Sequence, residues 1–127
     1  MAVALGLFFL TVSAAMLVLM RQWLRRQNVS PRVLGSFSLV VLAGSVLGVW
    51  LSMRAELAVG PRTRFVGAPL PLVVWQKESD GQWRDFPHPR PVMALLLMAN
   101  AGLVAAALAG PLALSQALGR RSATTSA

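Results

Sequence analysis

Apolar residues fall along this chain in three long runs, and polar residues collect in the gaps between them. The longest run, Val92 to Leu114, reads VMALLLMANAGLVAAALAGPLAL and contains no charged residue. As a helix it would extend about 35 Å, more than the hydrocarbon core of a bilayer at roughly 30 Å. Its apolar positions surround the helix instead of forming one stripe, the pattern of a helix buried in lipid. Ala2 to Met20 has only Thr11 and Ser13 as polar interruptions, and Val33 to Met53 is comparably apolar. The pattern predicts an all-α membrane protein with three transmembrane helices, near 3–20, 34–54 and 92–117. A cleavable signal peptide would open with basic residues and end at a small-residue site. The first run has no basic residue before it and meets Arg21 directly, so an uncleaved span is expected.

The polar gaps carry different signals. Residues 21–32, RQWLRRQNVSPR, read as a tight basic connector, and Ser30-Pro31 reads as an N-cap followed by proline at the first helical position. With so short a connector, the first two helices are expected to be antiparallel neighbours. Residues 55–91 are the one sizeable extramembrane loop. RAELAVGPRTR at its start is expected to prolong the second helix until Gly60-Pro61 stops it. Leu72–Lys77 and Gln82–Phe86 are strand-prone, and Ser79-Asp80-Gly81 between them signals a hairpin turn. Prolines 69, 71, 87, 89 and 91 fence this β-hairpin. Residues 119–127 read as a mobile tail. The whole chain is therefore a single membrane domain.

Composition sharpens this picture. Of 127 residues, 56% are hydrophobic and only 13% charged, well below the roughly 25% of soluble domains. The arginines behind the net charge of +8 sit between the apolar runs, where they mark membrane boundaries and not a nucleic-acid footprint. Arg21, Trp23, Arg25, Arg26, Arg32, Trp50, Arg120 and Arg121 are the expected interface anchors. Six Arg or Lys fall on the side of the connector and tail and six on the side of the long loop, so the positive-inside count is tied. The connector is the denser of the two, with four arginines in twelve residues. That favours an N-terminus and loop 55–91 outside and a cytoplasmic C-terminus, in the inner (plasma) membrane of a bacterium.

Small residues predict where helices meet. Gly44 and Gly48 form a G-x-x-x-G pair, and Gly102, Ala106 and Gly110 repeat at four-residue spacing. Lipid is already apolar, so close approach of backbones has to supply the packing. The two stripes are expected to face each other, and Pro111 to kink the third helix around Ala107. Asn100 lies about 200° from Gly102 on a 3.6-residue helix and is expected to contribute to a partner contact, as are Trp75, Trp83 and Phe86 on the hairpin.

Candidate chemistry is sparse. There is no cysteine. His88 could ligate a haem, a chlorophyll magnesium or a transition metal, but a lone loop histidine more often does none of these, and no metal or cofactor is expected. Glu78, Asp80 and Asp85 could meet across the hairpin turn, yet Lys77 and Arg84 stand among them and a solvated tip is the simpler account. No enzyme activity is expected. The reading is a small accessory, structural or assembly subunit of a larger membrane complex. The alternatives are a membrane sensor or lipid-binding regulator, or one protomer of an oligomeric transporter. Its expected partners are membrane lipid and a larger membrane protein or further copies of itself, not nucleic acid.

Overall fold

The computed structural model describes residues 1–126, except for the side chain at position 124. It contains three helices, α1 (Ala2–Arg26), α2 (Pro31–Arg54) and α3 (Arg90–Thr125). A four-stranded antiparallel sheet is inserted between α2 and α3. Each helix is long and apolar enough to cross a membrane, with best-window mean hydropathies of 2.5, 2.0 and 2.2.

Helix α1 runs six residues beyond the span expected for it. Nothing between Met20 and Arg26 breaks a helix, and Arg, Gln and Leu are good helix formers. It stops where Asn28 takes a left-handed conformation, φ 49°, which asparagine tolerates better than most residues. The true connector is therefore only residues 27–30. At its end Ser30 is extended and its hydroxyl accepts from the Val33 amide at 3.4 Å, with Pro31 in the first turn, as the sequence predicts.

The order of the helices differs from expectation. Helices α1 and α2 scarcely touch, because α3 packs between them and contacts both. A short connector fixes which ends are joined, but it leaves the helices free to splay. On α2, a Cβ built at Gly44 would fall 2.7 Å from the Ala105 Cα, and one at Gly48 2.7 Å from the Ala101 Cα. Gly102 instead faces Ser13 of α1, and nothing crowds Gly110. The two glycine stripes therefore do not face each other. A helix packed between two neighbours needs two close-approach faces, and 101/105 and 102/106 lie 100° apart on α3. Helix α3 continues unbroken through Pro111 and through most of the expected mobile tail, to Thr125. Residue 127 lies outside the described residues. At the connector end, Leu24, Phe37 and Ala109, one from each helix, form a buried cluster, and Trp23 packs against it.

The extramembrane segment is a four-stranded meander where a lone hairpin was expected. Strands β1 (Glu56–Ala58), β2 (Thr63–Val66), β3 (Val73–Lys77) and β4 (Trp83–Pro87) pair in sequence order. Helix α2 ends at Arg54, and Gly60-Pro61 serves as the β1–β2 turn instead of a helix stop. Gly60 has φ +84°, and the Val59 amide donates to the Thr63 carbonyl at 2.9 Å. The extra hairpin explains how the segment holds together, since two strands alone are marginal in water. The predicted β3–β4 hairpin is present, with Lys77 opposite Trp83. The Glu78 amide donates to the Gln82 carbonyl and the Gly81 amide to the Glu78 carbonyl. Gly81 sits at φ +82°, which gives a three-residue loop with a left-handed glycine. The Asp80 carboxylate accepts from the Gln82 amide at 2.9 Å and closes the turn.

Candidate binding face on the sheet

The sheet is fastened to the helices through the β2–β3 loop. Gly67, at φ +105°, turns the chain back toward α2, and its amide donates to the Ala55 carbonyl at 2.8 Å. A Cβ at Gly67 would lie 2.9 Å from the Leu72 nitrogen and 3.1 Å from the Ser52 carbonyl oxygen, so glycine is required by space as well as by φ. The Ala68–Pro69 bond is cis. The loop then brings both main-chain groups of Leu70 to Asn100.

Asn100 is fully buried. Its Oδ1 accepts from the Leu70 amide at 2.8 Å, and its Nδ2 donates to the Leu70 carbonyl at 2.9 Å and to the Ser52 Oγ at 2.8 Å. Ser52 Oγ in turn donates to the Gly48 carbonyl at 2.7 Å. Every polar atom in the set is satisfied, and only one orientation of the amide allows this, since the Leu70 amide needs an acceptor and its carbonyl a donor. Irregular backbone away from water is tolerated where protein groups pair it, and Asn100 supplies both partners. The expectation of a partner contact at Asn100 is thereby corrected, because its amide is spent inside the chain. It is also not mid-span relative to its neighbour, being level with Ser52, which stands two residues before the end of α2.

Thus held, the sheet displays one concave face with a cavity of about 530 Å³. Trp75 and Trp83, both half-buried, stand beside Arg64, Glu56 and Asp85, with Val66 and Val73 at the edge nearer the helices. The register explains the set. Arg64, Trp75 and Asp85 are directly opposite one another on β2, β3 and β4, and Trp83 is opposite Lys77, two residues on from Trp75. The Arg64 guanidinium reaches diagonally across β3 to lie 4.6 Å from the centre of a Trp83 ring. Such a contact is worth about 0.5–1 kcal/mol at an exposed site and holds both side chains in place.

Among the described residues the one ion pair is Arg84–Glu78 at 3.2 Å, on a solvated strand end where it adds little stability. Glu56 and Asp85 have no ion-pair partner on the face. Phe86, expected to act with the two tryptophans, is on the opposite side of the sheet. There it joins a row with Leu57, Phe65 and Val74, in which Leu57 and Phe86 are 62% and 51% exposed. Strand alternation already separates positions 83 and 86. Glu56 and Arg64 were missed as members of the face, because that required the pairing of β1 with β2 and of β2 with β3, whereas the place of Asp85 opposite Trp75 follows from the expected β3–β4 hairpin. The available signal was the Gly60-Pro61 turn followed by alternating Arg62, Thr63, Arg64 and Phe65.

The remaining candidates lie apart from this face. His88 is half-buried in the link from β4 to α3, and no three metal-ligating side chains gather among the described residues. Arg21, Arg25, Arg26 and Arg32 are exposed around the connector, and Arg120 bonds to the Gln27 carbonyl there. Trp50 is exposed near the sheet end of α2. Comparison with protein-family models, with curated proteins and with solved structures finds no match for this chain.

Proposed function

We propose that this chain is a small non-catalytic accessory, structural or assembly subunit of a larger membrane complex, and that the tryptophan face of its sheet meets the partner. The observation that carries this reading is how that face is mounted. The Asn100–Leu70 pairing ties it to the bundle, so it is presented in one orientation, which lowers the ordering cost of binding. Tryptophan is enriched where interfaces draw most of their energy, and carboxylates without partners complement basic side chains. The occupant is an extramembrane segment of the partner with basic side chains flanking an apolar one.

In this reading the three helices cross a bacterial plasma membrane. The connector and the end of α3 face the cytoplasm, and the N-terminus and sheet face outward. The dense arginine cluster of the connector supports that orientation.

Purification of the tagged chain in mild detergent tests the proposal. A stoichiometric larger partner should copurify, be lost from Trp75→Ala and Asp85→Lys, and survive Arg84→Ala on the other face. Retention of the partner by both face variants would remove the sheet from the interface. A homo-oligomer that conducts solute after reconstitution would replace the proposal with a transport role.

A further inference from the structure

Because α3 stands between them, α1 and α2 leave a crevice on the side away from the sheet. Leu17 and Val18 of α1 and Phe37 and Val41 of α2 line it, Ser38 stands among them, and Arg21 closes it at the connector end. The volume is about 300 Å³. We propose that this groove binds one anionic phospholipid, with an acyl chain along the apolar walls and the phosphate at Arg21.

Charge selects the occupant. Arg21, Arg25, Arg26, Arg32, Arg120 and Arg121 all lie toward this end of the bundle, whereas the four acids, Glu56, Glu78, Asp80 and Asp85, are all in the sheet segment. Arg21 has no carboxylate within reach among the described residues, so the guanidinium is available to a phosphate. Arg25 follows one turn later on the same helix face, at the four-residue spacing that lets two arginines serve one headgroup. Basic pockets between transmembrane helices are where anionic headgroups are held. The groove itself asks for hydrocarbon. The one polar group in the wall, Ser38 Oγ, already donates to the Leu34 carbonyl at 3.1 Å. An extended acyl chain is a narrower body than a protein helix, which is about 10 Å across.

The inference rests on the three helices crossing a membrane and needs no protein partner, so it can fail while the subunit reading stands, and the reverse. The test uses the purified full chain in detergent with equal amounts of phosphatidylglycerol and phosphatidylcholine, read by native mass spectrometry. One phosphatidylglycerol should be retained per chain under activation that strips phosphatidylcholine. Arg21→Gln should weaken retention about five-fold, as expected for one arginine beside a phosphate. Val41→Trp, which fills the groove, should weaken it through the acyl chain, and Arg62→Gln, in the β1–β2 turn at the other end of the molecule, should leave it unchanged. Helicity by circular dichroism checks that each variant is folded. Equal retention of the two lipids would overturn the proposal. So would folded Arg21→Gln and Val41→Trp variants that bind like wild type, competition by millimolar inorganic phosphate, or lipid displaced by a second copy of the chain.

Discussion

Asn100 does for Leu70 what a neighbouring strand would do, with one donor and one acceptor at matching spacing. Asn100→Leu removes both and leaves two part-buried main-chain groups unpaired, each costing at most about 1–3 kcal/mol. It should lower the thermal unfolding midpoint of the purified chain and speed amide exchange at Leu70. An unchanged midpoint with Leu70 still protected would show that the loop is held by something else. Asn100→Asp should be nearly as damaging despite its shape, because a carboxylate can accept from the Leu70 amide but cannot donate to the Leu70 carbonyl or Ser52 Oγ. Ser52→Ala deletes one bond at each end of a hydroxyl relay, and a smaller loss, about 1 kcal/mol, is expected from the same melting experiment. None of this was visible along the chain. An asparagine in an apolar run announces that it needs a partner, but Leu70 is thirty residues away in a loop with no mark of its own.

Helix packing in this chain depends on which glycines meet backbone. Gly48 stands against the Ala101 Cα and the Asn100 carbonyl oxygen, both at 2.7 Å from an added Cβ, and neither is the end of a flexible side chain that could swing away. Gly48→Leu should therefore push α2 off α3, at a cost of at least the 1–3 kcal/mol typical of overpacking. Gly110, at the same four-residue spacing in the sequence, has open space around it, so Gly110→Leu should leave the melting midpoint within about 0.5 kcal/mol of wild type. Equal damage from both would mean that α3 is rotated from the position described. In the sheet, Gly81 is left-handed at the hairpin turn, and Gly81→Val should weaken the β3–β4 pairing by about 1–2 kcal/mol. Amide exchange from Val73 to Arg84 reads that loss directly. Gly44, Gly48 and Gly102 were legible as close-approach sites and Gly110 proved not to be one, while the turn was legible as a turn. Which face of α3 each glycine meets was not, because small residues ring that helix and several rotations satisfy the pattern equally.

At the scale of the molecule, the outer surfaces of α1 and α2 expose Leu7, Phe8, Val18, Leu19, Leu39, Leu42 and Val46, while the polar network lies at the sheet end of the bundle. Three crossings would place residue 79 and residue 22 on opposite sides of a membrane. With single cysteines at Ser79 and Gln22, an impermeant thiol reagent applied to intact cells should label the Ser79 site and spare the Gln22 site. The reverse pattern would invert the proposed orientation, and labelling of both would mean that α2 does not cross.

The three helices, the Ser30-Pro31 start of α2 and the β3–β4 hairpin were settled by local sequence. Each rests on signals a few residues apart: continuous apolarity, a capping hydroxyl before proline, and Asp-Gly between strand-prone runs. The place of α3 between α1 and α2, the recruitment of Glu56–Val66 into the sheet, and the anchoring of Leu70 by Asn100 were decided only in three dimensions. The first and last join segments distant in the chain and depend on a choice among surfaces of nearly equal apolarity, whereas the β1–β2 pairing is between chain neighbours and is marked in the sequence only by Gly60-Pro61. Hydrophobic pattern is silent there, and the choice falls to backbone distance and to the pairing of individual hydrogen-bonding groups.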